Sequence, residues 1–362
     1  MKDITTVGVD LSKHFMHAVF MSGNGAIVKR KMYRTDSLME MIQELPPKAT
    51  ICAEACAGSH YFGRQLKKHN FNVKLIPPQY VKPYVQRNKN DYNDAIAIGE
   101  ASTRDNMKFV PIKSEYVQGV QALHDIRSQM VSTRTQFINC IRGILLESGV
   151  KISQGVSSFM RYIRERYEED DRIHHYTREA VNSLISLLFN IEEQINKLEK
   201  EIKKVSKENA TTQRLATIPG IGEITSTALI TVSGNPSIFK NGRAFSANLG
   251  LTPRQSSTAN KTTLLGISKQ GNMYVRSLLV ICARSLMVKA KKTVISKVTR
   301  QSEYKSNDRI SLWIRKLLAR NIHSNKVCVA VANKLARISY RILVNSSVTF
   351  NANLSNGCSY LM

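Results

Sequence analysis

Four carboxylates in the first hundred residues have the types and spacings that phosphodiester chemistry needs. Asp10 closes the apolar run Val7-Gly8-Val9, and Glu54 closes a second one, Ile51-Cys52-Ala53. Asp91 and Asp94 stand three residues apart in Asp91-Tyr92-Asn93-Asp94-Ala95, which puts both on one side of a helix. Acids delivered by two strand ends and one helix can converge on a divalent ion. A hard cation such as Mg²⁺ takes oxygen ligands and leaves room for phosphate oxygens. Two such ions steady both the attacking and the leaving oxygen of a phosphodiester. Each acid alone is equally well explained as a surface acid of a basic protein; the four in this order are not.

A second candidate is the hydroxyl cluster Ser256-Ser257-Thr258, inside a basic, glycine-flanked stretch from Gly250 to Gly271. Such residues suit either phosphate binding or a serine nucleophile, and their types alone leave both open. Thr217-Ile218-Pro219-Gly220-Ile221-Gly222, followed by Ile224-Thr225-Ser226, has the pattern of a helix–hairpin–helix. There the turn aims backbone N–H groups at a phosphate near a helix N-terminus. A plain helix connection fits the same residues. The pair His174-His175 has no carboxylate or cysteine in register and reads as a surface pair.

The acids need a scaffold, and the flanking residues specify one. Three short strands are expected at Thr5–Leu11, Phe15–Met21 and Ala26–Tyr33, with Ser22-Gly23-Asn24-Gly25 as a hairpin turn. A helix opening near Asp36, a strand Thr50–Ala53, a helix Ser59–Lys68 and a strand Asn72–Ile76 follow. A basic segment from Lys82 to Lys89 leads into a helix from Asp91 to about Thr103. Three antiparallel strands, then helix–strand–helix–strand–helix, is the order of a ribonuclease-H-like α/β fold, in which the acids of the first and fourth strands lie side by side.

The remainder reads as mostly helical. Phe109 to Glu147 carries Arg127, Arg134 and Arg142 among apolar residues, and Arg161–Arg172 is a dense charge run expected as a solvated helix or linker. Leu184, Leu188, Ile191, Ile195, Leu198, Ile202 and Val205 form a heptad seam, expected as a coiled coil that pairs subunits. Helices are expected over Met273–Ala290 and Asp308–Leu343, the latter with the only tryptophan, Trp313, before a Ser/Asn-rich tail. This gives an expected division at 1–108, 109–210, 211–300 and 301–362.

Composition limits the partners. At 362 residues the chain can bury a real core, and 53 Lys+Arg against 27 Asp+Glu give a formal charge of +26. That excess favours a polyanion, because each cation placed on a phosphate releases condensed counterions. The six cysteines are scattered, which speaks against a disulfide framework or a zinc site. Met1-Lys2-Asp3-Ile4 enters a strand directly and no run is long enough to span a bilayer, so a cytoplasmic, nucleoid-associated protein is expected.

With both blocks in view, the chain resembles the DEDD-type transposases of the insertion sequence 110 family, relatives of Piv-like DNA invertases and bridge-RNA-guided recombinases. The resemblance spans nearly the whole chain. Asp10, Glu54, Asp91 and Asp94 match the acids of its RuvC-like domain, and Ile218–Gly222 with Gly250–Pro253 and Gly266–Lys269 match its C-terminal transposase domain. The resemblance implies that the four acids hold Mg²⁺ and that a serine attacks DNA to form a phosphoserine link. That serine matches Ser257, with Ser256 as the adjacent rival. Ala259-Asn260 stand where the family usually has Gly-Gly, while Lys261 is retained. It also implies double-stranded DNA at the element ends and target, a noncoding guide RNA, and a dimer or tetramer. Two alternatives are a hydrolytic RuvC-like nuclease and a catalytically inactive, transposon-derived DNA-binding protein.

Overall fold

The computed structural model describes residues 3–85, 90–232, 234–258, 261–295, 302–304 and 308–350. The chain divides into two compact units, Met1–Val117 with Ser233–Asn235, and Gln118–Val232 with Pro236–Met362.

The first unit runs β1 (Ile4–Leu11), β2 (Phe15–Ser22), β3 (Ile27–Arg34), α1 (Leu38–Glu44), β4 (Thr50–Glu54), α2 (Ser59–Lys68), β5 (Asn72–Ile76), α3 (Pro78–Val81) and α4 (Asp91–Ser102). The sheet order is β3-β2-β1-β4-β5, antiparallel through β1–β3 and parallel through β1, β4 and β5. This is the order the strand pattern implies, and it is consistent with a ribonuclease-H-like domain. At the first hairpin Asn24 Oδ1 accepts from Ser22 Oγ and Ala26 N, and Gly25 takes φ +83°, the left-handed backbone that glycine adopts without strain.

Both sheet faces are covered, which is why the strands read as apolar runs rather than as alternation. Val7, Val9, Ile51 and Ala53 pack with Met41, Phe62 and Leu66 on one side. Cys52 and Ile76 pack with Ala97, Ile98 and Ala101 of α4 on the other. Helix α4 comes unusually close to β1. A Cβ at Gly8 would overlap the Ala95 carbonyl oxygen, and one at Gly99 would lie 2.5 Å from Met21 Sδ.

The second unit holds most of α5 (Glu115–Glu147), then α6 (Val156–Glu165), α7 (His175–Glu208), α8 (Ala210–Ala216), α9 (Glu223–Thr231), α10 (Gly242–Asn248), β6 (Pro253–Thr258), β7 (Lys261–Ile267) and α11 (Met273–Lys291). After them come β8 (Thr293–Ile295), β9 (Ser302–Tyr304), α12 (Arg309–Leu318) and α13 (Ser324–Val344). Helices α8 to α13 share one core around Leu215, Leu229, Phe245, Leu279 and Leu335.

Three expectations are refined here. The heptad residues Leu188, Ile195 and Ile202 are buried in their own chain, and Leu188 packs with Ile138, Ile141 and Leu145 of α5. Arg127–Glu199 at 2.5 Å and Arg134–Glu192 at 3.1 Å tie the same two helices, in antiparallel order. The seam at Leu184 and Leu188 therefore serves α5, whereas Leu187 and Phe189 stay exposed. The first half of the charge run is the end of α6, with Arg161, Arg164 and Glu165 exposed. The second half is tied down rather than a loose linker: Tyr167 is fully buried, and Asp170 accepts from Tyr162 Oη and Arg172 Nε. The late helical block consists of two helices, separated at Asn321, whose φ is +53°. Ala259-Asn260, residues 86–89 and the tail from 351 lie outside the described residues, as does the Lys261 side chain.

Candidate active site

Asp10 is placed by β1 and Glu54 by β4. Those strands run parallel with Val9 opposite Ala53, so the two acids leave the sheet at neighbouring strand ends. Asp91 and Asp94 sit in the first turn of α4, where the positive end of the helix dipole favours carboxylates. Asn90 caps that helix by accepting from Tyr92 N at 2.9 Å. The close Gly8–α4 approach brings this turn over β1. Oxygens of Asp10, Asp91 and Asp94 consequently lie within 4.8 Å of one another. Glu54 stands outside that triad but near enough to act on Asp10 through its charge.

The electrostatics show an unbalanced cluster. The Asp10 carboxyl is pushed up to about 6, by burial first and then by Asp94, Asp91 and Glu54. Glu54 is also raised, by burial and by Asp94, with Lys82 working the other way. Cys56 beside them has its thiol raised by burial and by the Glu54 and Asp10 charges. Hard oxygen donors held close together against their own repulsion are the donor set that suits a divalent cation.

One residue at this site was not singled out from sequence. His17 lies opposite Asp10 in the β1–β2 register and is buried, with its ring edge-on to Tyr92 at 5.0 Å. Its Nδ1 is 3.6 Å from Asp91 Oδ2 and has no hydrogen-bond partner among the described residues. The available clue was a lone imidazole in the apolar strand Phe15-Met16-His17-Ala18-Val19.

Ser256 and Ser257 lie in the other unit, on a β6–β7 hairpin rather than a loop. Ser257 pairs with Thr262, Ser256 with Thr263, and every residue of β6 is exposed. Adjacent strand residues point to opposite faces, so the two serines cannot serve the same face. Gln255 Nε2 donates to Ser257 Oγ at 2.7 Å. The Thr217–Gly222 segment joins α8 to α9, with Ile218 and Ile221 buried and Gly220 at φ +82° against Leu286. Arg127, Arg134 and Arg142 are committed internally, the last donating to the Ser153 and Gly155 carbonyls. His174 caps α7 by accepting from Tyr176 N.

Two stretches of the chain match known families. Residues 7–149 match a profile described as a transposase of the DEDD, IS110 type, and residues 212–299 match the transposase IS116/IS110/IS902 family. The transposase for insertion sequence element IS1328 of Yersinia enterocolitica is 36% identical over 96% of this chain and 99% of the relative. The chain belongs to the IS116/IS110/IS902 transposases. Another relative, the transposase for insertion sequence element IS1111A of Coxiella burnetii, is 37% identical over 95% of this chain and 90% of its own length. The pilin gene-inverting protein of Moraxella lacunata is more distant, at 23% over 76% and 73%. The transposase is accordingly an enzyme of DNA recombination. Among its described residues no helix is long and apolar enough to cross a membrane.

Proposed function

We propose that this transposase exchanges DNA strands through a divided site, in which Asp10, Glu54, Asp91 and Asp94 hold Mg²⁺ and Ser257 is the nucleophile. The convergence of Asp10, Asp91 and Asp94 within 4.8 Å carries the reading. Mg²⁺ bound there supplies Lewis-acid polarisation of the scissile phosphate and neutralises charge on the departing oxygen. The chain's own contribution is placement. The Gly8–α4 contact fixes the spacing of the three aspartates. His17 Nδ1, 3.6 Å from Asp91 Oδ2, is close enough to orient that carboxylate by donating to it once a small shift closes the gap, as outer-shell donors do for ligating acids. Ser257 Oγ attacks the scissile phosphorus, forming a phosphoserine ester as the P–O3′ bond breaks, and the hydroxyl proton ends on the departing 3′ oxygen. The ester conserves the bond energy, so rejoining needs no ATP.

The +26 charge supports two polyanionic partners, double-stranded DNA and a guide RNA from the element, with base pairing carrying target choice. Assembly as a dimer or tetramer would let one subunit's acids serve another's serine. The segments 1–108, 109–210, 211–300 and 301–362 then act as acid domain, helical connector, serine domain and C-terminal extension.

A suicide DNA substrate with Mg²⁺, run on a denaturing gel, tests the mechanism. Wild-type protein and Ser256→Ala give a covalent protein–DNA band, and Ser257→Ala gives none. Full-rate cleavage by Ser257→Ala with no adduct in any variant would establish a hydrolytic nuclease instead.

A further inference from the structure

Helices α10, α12 and α13 and strand β7 of the second unit enclose a groove of about 1610 Å³. Small-molecule pockets run to about 300–1,000 Å³, so this one is sized for a segment of a polymer. Much of its wall is α12 and α13, which lie beyond residues 212–299 of the family match.

Its chemistry is lopsided. Lys240, Arg243, Arg309, Lys326, Lys334 and Arg337 line it, and none makes an ion pair with an acid among the described residues. The only acid among the described lining residues, Asp308, caps α12 by accepting from Ser311 N and Oγ and faces Lys289 at 3.6 Å. The Lys334 ammonium sits 4.1 Å over the Trp313 ring, and burial with the Arg337 charge lowers its pKa. Beside these cations the hairpin presents Leu264 and Leu265, 66% and 46% exposed. Uncompensated cations next to open apolar surface suit an anion with flat apolar parts.

We propose that this groove binds a single strand of nucleic acid, with phosphates on the lysines and arginines and bases against Leu264, Leu265 and Trp313. Other occupants fit worse. Residues 351–362 contain no acidic side chain, and a second copy of a chain at +26 is repelled by the same cations. A duplex keeps its bases inside and would leave the leucines against sugar and phosphate, whereas a free strand exposes base faces that cover them. Leu264 pairs with Gln255 and Thr262 with Ser257, so a strand leaving the groove along the hairpin runs towards Ser257. The binding proposal does not depend on Ser257 being the nucleophile.

Fluorescence anisotropy on the full-length protein tests it, using a short oligonucleotide as single-stranded DNA, single-stranded RNA and duplex DNA over a salt series. The double variant Lys334→Gln/Arg337→Gln is expected to weaken single-strand binding about tenfold and flatten its salt slope by about 1.4, two phosphates' worth. Leu264→Ser/Leu265→Ser, a change to exposed side chains that leaves folding intact, is expected to weaken it about fivefold or more with the slope unchanged. Duplex affinity should move less than twofold in both. A preference between DNA and RNA identifies the strand, and either one supports the proposal. Equal losses for duplex and single strand, or no loss in either variant, would overturn it. Ser257→Ala should bind like wild type, so failure of the serine mechanism and failure of the groove give different results.

Discussion

Asp10 sits at the centre of a five-stranded sheet, with α4 pressed onto Gly8 beneath its first turn, while Ser257 sits on a hairpin strand whose every residue is exposed. Around the acids, charge is held in place against burial and repulsion; around the serine, Gln255 is the one hydrogen-bond partner of the hydroxyl among the described residues. The first arrangement is fixed by folding and is ready for a cation. The second is a hydroxyl on an open surface strand. On the proposed mechanism, rigid acids and an open hydroxyl would divide the labour of a strand-exchange reaction, in which DNA must enter, be cut and be passed on.

The largest effect expected from breaking this contrast is at Asp10. Asp10→Asn should lower strand exchange by at least about 10²–10³-fold, the size of losing one transition-state charge contact, while nucleic-acid affinity by anisotropy stays within twofold. Recombination that survives would sink the metal reading. Next is His17. His17→Phe should weaken divalent binding about 10–100-fold by Mn²⁺ titration with paramagnetic resonance detection, and His17→Asn, which keeps an N–H donor, should recover part of it. Identical metal affinity in all three proteins would reduce His17 to packing.

Much of the acid site was legible in the sequence because strands and helix starts leave local marks. Val7-Gly8-Val9-Asp10 and Asp91-Tyr92-Asn93-Asp94 each carry their element's period and its end. What was not legible depends on contacts between distant residues. His17 gains meaning only from the β1–β2 register, and Gly8 only from α4 crossing it. The β6–β7 hairpin has no apolar alternation to announce it, since Pro253–Thr258 is exposed on both faces. The heptad of α7 marks a helix with one apolar stripe, and period alone does not say whether the partner is another subunit or α5.

A pair of glycines sharpens the contrast between the two regions. Gly8→Ala must push α4 away from β1 and should cost about 1–3 kcal/mol, read as a lower unfolding midpoint in denaturant together with weaker metal binding. Gly266→Ala on the hairpin meets nothing within 4 Å and should stay within about 0.5 kcal/mol of wild type. Equal losses at both positions would mean that the hairpin is as tightly constrained as the acid site.

The smallest effect separates the regions by pH. In metal-free protein Asp10 holds its proton up to about 6, against 3.8 when unfolded, so the folded state binds more protons between those values. Its contribution to stability is full below about pH 4 and is lost as pH rises through 6. His124 in the second unit works in the opposite direction. It is buried between Tyr274 and Thr227 and pushed down to about 4 by burial, so its contribution is present above 6.5 and lost as pH falls through 4. A single stability curve mixes the two, but the difference between wild type and Asp10→Asn cancels His124. That difference should grow by about 1–2 kcal/mol from pH 4 to pH 7 in favour of the variant, after allowing for solvent screening. Saturating Mg²⁺ should abolish the advantage, because wild type gains the ligand's binding energy at the same carboxylates. A difference that stays flat with pH would mean that the Asp10 charge is already compensated without a metal.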